Sequence, residues 1–331
     1  MLTVPLFNRR LLASAVAIFL LATAAACTSA QPATQQPAAE SGAKTQPPAA
    51  DTQAKTTASG YARPELLVES DWLAAHLNDP KVRILDVRAA DKYQADHIPG
   101  AVLLASGQLD KKYGEVQNVK PAEEIAGVLG NLGIGKDTQV IIYDDSRTLT
   151  AGRVFWVLDY YGQSSVSILN GGYPKWQAEK RETTRQAPKV DPATFVAKVD
   201  PSKIADADYI KANLGKNSVT LCDVRTAAEY QGTDVRAARG GAIPGAKNVN
   251  WENNVTAGDT PQLKLAADLK KLYEGAGVTP DQEVVTYCQS GVRAAQAYFT
   301  LKLIGYTKVR NYDGSWEDWG NNASLPLEKK G

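Results

Sequence analysis

Three cysteines and two histidines are all this 331-residue chain offers as soft nucleophiles or soft metal ligands. Cys288 stands apart by its setting. It follows the apolar run VVTY and precedes QSGVR and AAQAYF within residues 284–299. That order reads as a buried strand, a short loop containing Gly291, and a helix beginning near Val292. A thiol at the carboxyl end of a strand, facing a helix N-terminus, lies where the backbone N–H groups of Gln289, Ser290, Gly291, Val292 and Arg293 can converge on negative charge. The helix dipole and Arg293 both favour thiolate over thiol. The chemistry suited to this pattern is nucleophilic: a thiolate that attacks, or carries, a species with negative charge. The alternative for any one cysteine is a small hydrophobe ending a core strand. Cys222 fits that alternative, since it sits inside VTLCDV just before Asp223 with no loop after it. His76 lies in a helical stretch and His97 precedes an Ile-Pro-Gly turn. Neither is at ligand spacing from a cysteine or from the other, so no metal site is read.

The elements that must position Cys288 occur twice. ILDVRAADKY (84–93) matches LCDVRTAAEY (221–230), and HIPGAVLL (97–104) matches AIPGAKNV (242–249). QVIIYDDS (139–146) matches EVVTYCQS (283–290), and NGGYPKW (170–176) matches DGSWEDW (313–319). Four segments in one order, displaced by about 140 residues, make two copies of one domain, 62–190 and 200–328. The stretch 186–195, with two prolines, connects them. Within each copy, short branched apolar runs alternate with helical patterns. In the second copy these are 219–224, 264–277, 283–288, 292–305 and 308–313. Such alternation predicts an α/β domain with a mainly parallel central sheet flanked by helices. Sites in such sheets form beyond the carboxyl ends of the strands.

The first 61 residues carry no such pattern. Arg9 and Arg10 precede a 17-residue apolar run, 11–27, that ends in small residues and Cys27. This is expected to be a bacterial secretory signal. Ala24-Ala25-Ala26-Cys27 resembles a lipoprotein processing site, although Ala24 stands where leucine is usual. The expectation is lipidation of Cys27 and membrane tethering; the alternative is an ordinary cleavage site and a soluble periplasmic protein. Residues 28–61, rich in Ala, Gln, Thr, Pro and Ser, read as a disordered linker. Thirty-seven basic against 36 acidic residues leave a net charge of +1, which argues against a nucleic-acid partner.

Taken together, the DVR…Y segments, the IPGA turns, the Cys288–Arg293 loop and DGSW resemble the tandem-domain rhodaneses, the thiosulfate and 3-mercaptopyruvate sulfurtransferases. The resemblance covers residues 65–325. It implies that Cys288 takes a sulfane sulfur from a small anionic donor, becomes a persulfide, and passes the sulfur to cyanide, a thiol or a reduced protein, with no cofactor. It also implies an inactive first copy, in which Asp144, followed by Asp145 and Ser146, stands in the place of the cysteine. Arg225 then falls at the mouth of the site as a grip for the donor, or pairs with an acid such as Glu229, because Arg88 occupies the matched place in the inactive copy. Arg239, preferred over Arg236, lines the pocket or is a solvated loop charge. Asp223 orients the loop or Arg225, or is purely structural. Trp316 and Trp251 wall the pocket or pack in the core. The family's histidine before the IPGA turn is His97 in the first copy and Ala242 in the second.

Three readings compete with a thiosulfate sulfurtransferase. A related phosphatase loop has five residues between its cysteine and arginine, whereas four separate Cys288 from Arg293. A 3-mercaptopyruvate enzyme is suggested by Gln289 and Ser290, while Arg293 favours the thiosulfate dianion. A persulfide carrier without turnover needs the same loop.

Overall fold

The computed structural model describes residues 60–105, 107–111 and 118–329. The signal sequence, Cys27 and the linker expectation lie outside the described residues, apart from the last residues before the first copy. In the first copy, strands β1 (Leu67–Val68), β2 (Val82–Asp86), β3 (Ala101–Leu103), β4 (Gln139–Tyr143) and β5 (Val166–Leu169) form a parallel sheet of order β1-β5-β4-β2-β3. Its helices are α1 (Ser70–Ala75), α2 (Ala90–Ala95), α3 (Ala122–Asn131), α4 (Leu149–Tyr160) and α5 (Gly172–Ala178). The second copy repeats this arrangement. Strands β6 (Ile204–Ala205), β7 (Val219–Asp223), β8 (Lys247–Asn248), β9 (Glu283–Tyr287) and β10 (Val309–Tyr312) follow the order β6-β10-β9-β7-β8. Its helices are α6 (Ala207–Asn213), α7 (Ala227–Gln231), α8 (Ala266–Gly275), α9 (Val292–Leu303) and α10 (Ser315–Asn321).

The two sheets are therefore parallel, with helices on both faces, as the alternating pattern requires. β4 and β9 are centre strands buried on both sides, which is why each reads as a continuous apolar run rather than an alternating one. The edge strands are only two or three residues long and leave no period to read in sequence.

One apolar core passes from copy to copy. It runs from Leu85 and Phe155 in the first to Phe299 and Val309 in the second. Its centre is the crossing of α4 and α9, where the Phe155 and Phe299 rings meet edge to face at 4.8 Å. Gly152 permits the crossing, because a Cβ there would lie 2.7 Å from the Gln296 backbone. The 186–195 connector has no regular structure but is fastened to the first copy: Ala193 N–H bonds the Gly130 carbonyl, and Phe195 is buried.

Candidate active site

β9 delivers Cys288 to the carboxyl end of the second sheet, between the ends of β7 and β10. The side chain is 1 % exposed. Gly291 takes φ +80°, a left-handed value that suits glycine, and α9 starts at the next residue. The four carbonyls of the loop are all occupied. Cys288 O accepts from Trp316 N–H at 2.9 Å, and Gln289 O accepts from Glu317 N–H at 2.8 Å. Ser290 O accepts from Asn118 Nδ2 at 3.0 Å, and Gly291 O from Asn311 Nδ2 at 3.2 Å. Ser315 Oγ accepts from the amides of Cys288 (3.0 Å) and Gly291 (3.1 Å), and lies 4.0 Å from Sγ. Among the described residues, no protein acceptor takes the amides of Gln289, Ser290, Val292 and Arg293. Carbonyls held away from the centre and amides left open make a loop suited to an anion on sulfur.

In the first copy the matching loop closes on a carboxyl group, whose pKa burial pushes up although hydrogen bonds from Ala151, Ser146 and Thr148 oppose this. Asp144 occupies the matched position, and its carboxylate accepts from the amides of Thr148 (3.2 Å), Thr150 (3.0 Å) and Ala151 (3.1 Å) and from Ser146 Oγ (2.7 Å). That loop is one residue longer, its helix cap being Thr148 where the second copy has Gly291 three residues after the cysteine. A carboxylate inside its own amide ring leaves no nucleophile there.

Arg293 reaches the site from the first turn of α9. Its guanidinium grips Glu229 with two bonds of 2.8 Å. Burial opposes its charge, but the Glu229 bonds and the neighbouring Cys288 sulfur outweigh this and raise its pKa. Burial would raise the Glu229 pKa, yet the Arg293 bonds, helped by Thr226, bring it down to about 2. The arginine is thus largely neutralised within the protein. Gln289 ties the loop sideways, donating to Arg236 O (3.0 Å) and Glu317 Oε2 (2.9 Å).

The structure corrects two of the sequence expectations. Arg225 is not at the mouth. It is 1 % exposed, chelates the Asp223 carboxylate, donates to Gly241 O at 2.7 Å and lies 4.4 Å above the Trp316 ring. Arg88 does the same in the first copy, chelating Asp86, donating to Asp96 O and covering Tyr173. A duplicated buried pair is a structural device, with Asp223 rather than Glu229 as the partner. Arg239 does not line the pocket either. It donates to the carbonyls of Gly320, Leu325, Trp319 and Asn322, closing the C-terminal end of α10. Arg236, which the sequence reading ranked second, is the more exposed of the two. It pairs with Asp234 and lies 3.7 Å from Glu229. Trp316 is a core residue whose Nε1 donates to Arg239 O, and Trp251 packs partly buried against the core. Cys222 is fully buried in β7, and burial together with the Asp223 charge pushes its thiol pKa up.

Glu229, Ser315, Asn311 and Asn118 enter the site without having been chosen from sequence as parts of it. Glu229 had one local signal, the Thr226-x-x-Glu229 capping box that starts α7. Ser315 is the serine of the DGSW segment, which the resemblance singled out without giving that serine a role, and Asn311, two residues before the segment, carries no pattern of its own.

Comparison with known proteins agrees with this geometry. The family model described as rhodanese-like domain matches residues 69–179 and 206–322. The chain is 40% identical over 286 residues to the sulfur carrier protein TtuD of Thermus thermophilus, covering 82% of this chain and 99% of that protein. It is 35% identical over 268 residues to the thiosulfate sulfurtransferase of Pseudomonas aeruginosa, covering 80% of this chain and 97% of that protein. Among solved structures, the 3-mercaptopyruvate sulfotransferase SseA of Escherichia coli superposes with a TM-score of 0.68 at 31% identity, over 76% of this chain and 98% of that one. Two matched copies, one with a cysteine in the anion loop and one with an aspartate filling it, make this chain a member of the rhodanese-like family.

Proposed function

We propose that the protein is a thiosulfate sulfurtransferase working through a persulfide on Cys288. The observation that carries this is the loop itself: a buried thiol beside the amides of Gln289, Ser290, Val292 and Arg293, which have no acceptor among the described residues, while the carbonyls of residues 288–291 are held elsewhere. The Cys288 thiolate attacks the outer sulfur of thiosulfate. A new S–S bond forms, the S–S bond of the donor breaks, and sulfite leaves with the electron pair. The amides of residues 289–293 then hold the charge of the persulfide. Cyanide or a thiolate attacks the outer sulfur, and the Cys288 thiolate departs with the pair, giving thiocyanate or an acceptor persulfide. Two half-reactions through a covalent intermediate predict ping-pong kinetics. The names carried by relatives such as the Pseudomonas aeruginosa protein support thiosulfate as donor.

A second reading has its own observation. Arg293 was the residue favouring a dianion, and Glu229 pairs with it in bidentate fashion. That weakens the charge argument for thiosulfate and leaves room for 3-mercaptopyruvate, or for a carrier role such as the name of the Thermus thermophilus relative states. We propose further that the chain is exported and tethered through lipid on Cys27, with a thiol or a reduced protein as its acceptor.

Intact-mass measurement before and after thiosulfate, then after cyanide, tests the chemistry. A gain of about one sulfur mass (roughly 32 Da) at Cys288, removed by cyanide, is the expected result for an activated thiolate. A gain only with mercaptopyruvate changes the donor. No gain with either removes the enzyme reading.

A further inference from the structure

The Cys288 loop is fastened from the other copy, and we propose that Arg153 and Asn118 of the first copy are positioning residues for Cys288, acting through Asp313. This rests on the reading of Cys288 as the nucleophile. Asp313 follows β10 and is fully buried. It stands directly behind the loop: a Cβ on Gly291 would lie 2.6 Å from its carbonyl oxygen and 2.8 Å from its Oδ1. Its carboxylate is held by first-copy groups, Arg153 Nη1 at 2.6 Å and Val119 N–H at 2.9 Å. Arg153, on α4, also binds Asp110 Oδ1 at 2.7 Å. Asn118 Nδ2 bridges Asp313 O (2.8 Å) and Ser290 O (3.0 Å), so one first-copy amide touches the catalytic loop itself.

The repeat supplies an internal control. The matching place around the first-copy loop shares part of this pattern and differs in its charges: Asn170 Nδ2 donates to Glu69, which pairs with Lys175 of the same copy. Leu263 N–H donates to Asn170 Oδ1 at 3.1 Å, as Val119 N–H does to Asp313. Gln296, at the Arg153 position of α9, accepts from Asn254 Nδ2 at 2.8 Å, whereas Arg153 donates to Asp110, and among the described residues no bond from Gln296 to Asn170 matches Arg153–Asp313. Asp110, Arg153 and Asp313 thus stand where the uncharged Asn254, Gln296 and Asn170 stand around the Asp144 loop. The turn that carries Asn170 receives Leu263 N–H from the other copy and, among the described residues, no arginine from it. The buried ion pair between copies, Arg153 with Asp313, is on the Cys288 side, whereas the first-copy loop has the half-exposed Arg147–Glu252 pair and Glu69 with Lys175. Arg153 keeps Asp313 paired, so that no free carboxylate faces the thiolate or persulfide.

The test uses the full chain with Arg153→Met, Arg153→Lys, Asn118→Ala and the double change Arg153→Met with Asp313→Asn. Asn170→Ala is the control for damage to the interface between copies. The readouts are the pH dependence of Cys288 alkylation by iodoacetamide, located by peptide mass, and kcat and KM with thiosulfate and cyanide. Arg153→Met is expected to move the alkylation midpoint up by about one pH unit, a tenfold slowing below it. kcat falls about tenfold while KM stays within about threefold. Arg153→Lys and the double variant return both within about threefold of the parent, because the first keeps the cation and the second removes the stranded anion. Asn118→Ala lowers kcat by about threefold or more, and Asn170→Ala leaves the midpoint unmoved. An unshifted midpoint with unchanged kcat in Arg153→Met overturns the proposal. So does a loss that the folded double variant fails to relieve. If Arg153→Met does not fold, a parental midpoint and kcat in Asn118→Ala overturn it. Alkylation is independent of the donor, so a parent chain that alkylates at Cys288 yet accepts no sulfur removes the proposed function without touching this result.

Discussion

Glu229→Gln isolates the ion pair beside Cys288. Glu229 is buried, its partner Arg293 has a side chain only 16% exposed, and two 2.8 Å bonds join them. The glutamate pKa lies at about 2 against an ordinary 4.5. That difference corresponds to about 3 kcal/mol of folded-state stabilisation at neutral pH, consistent with the cost of stranding one member of a buried pair. The direction with pH follows from the lowered value. The stabilisation is complete above pH 4.5, where the unfolded chain is also ionised, and it disappears as pH falls towards about 2. At pH 3 roughly 2 of the 3 kcal/mol is gone. Urea unfolding of parent and variant at both pH values measures this. The variant is expected to lose about 3 kcal/mol at pH 7 and only about 1 kcal/mol at pH 3. The same loss at both, or a loss below about 1 kcal/mol at pH 7, would refute the account of how this pair is held.

Three further outcomes follow from particular contacts. Gly291→Ala combines a left-handed backbone with a Cβ 2.6 Å from the Asp313 carbonyl. It is expected to cost about 2 kcal/mol or more and to abolish sulfur loading, read by denaturation and intact mass. Cys222→Ala is expected to keep the cyanide-removable sulfur and Cys288→Ala to lose it; the reverse would place the chemistry on the wrong thiol. Arg239→Ala opens four carbonyls at the end of α10. Stability should fall by about 2 kcal/mol, while KM for thiosulfate stays within about twofold, since the side chain is capping a helix.

The parts legible in sequence were those with local chemistry. A continuous apolar run, a glycine and a helix start place Cys288 within a few residues, because β9 is buried on both faces and Gly291 needs a positive φ. The doubling of the segments revealed the doubling of the sheet. Partner choice among charged side chains was not legible. Arg293 and Glu229 are 64 residues apart, and nothing in the sequence says that Glu229 faces Arg293 while Asp223 takes Arg225. The duplicate Arg88 was the one clue that Arg225 is structural. Arg153 and Asn118 lay further out of reach, since their role exists only once α4 has docked on α9 and the two copies share a core.

Asp144 gives the two loops different relations to the solution around them. A ring of amides closed on a tethered carboxyl group is satisfied at any concentration of solute, because its acceptor is part of the chain. The ring at Cys288 has no such permanent tenant and must draw its negative charge from sulfur or from dissolved ions. Common inorganic anions should therefore compete at a single stoichiometric site, even though the chain folds two loops of the same descent. The ionic composition of the compartment becomes a governor of turnover that acts on one half of the molecule and passes the other by.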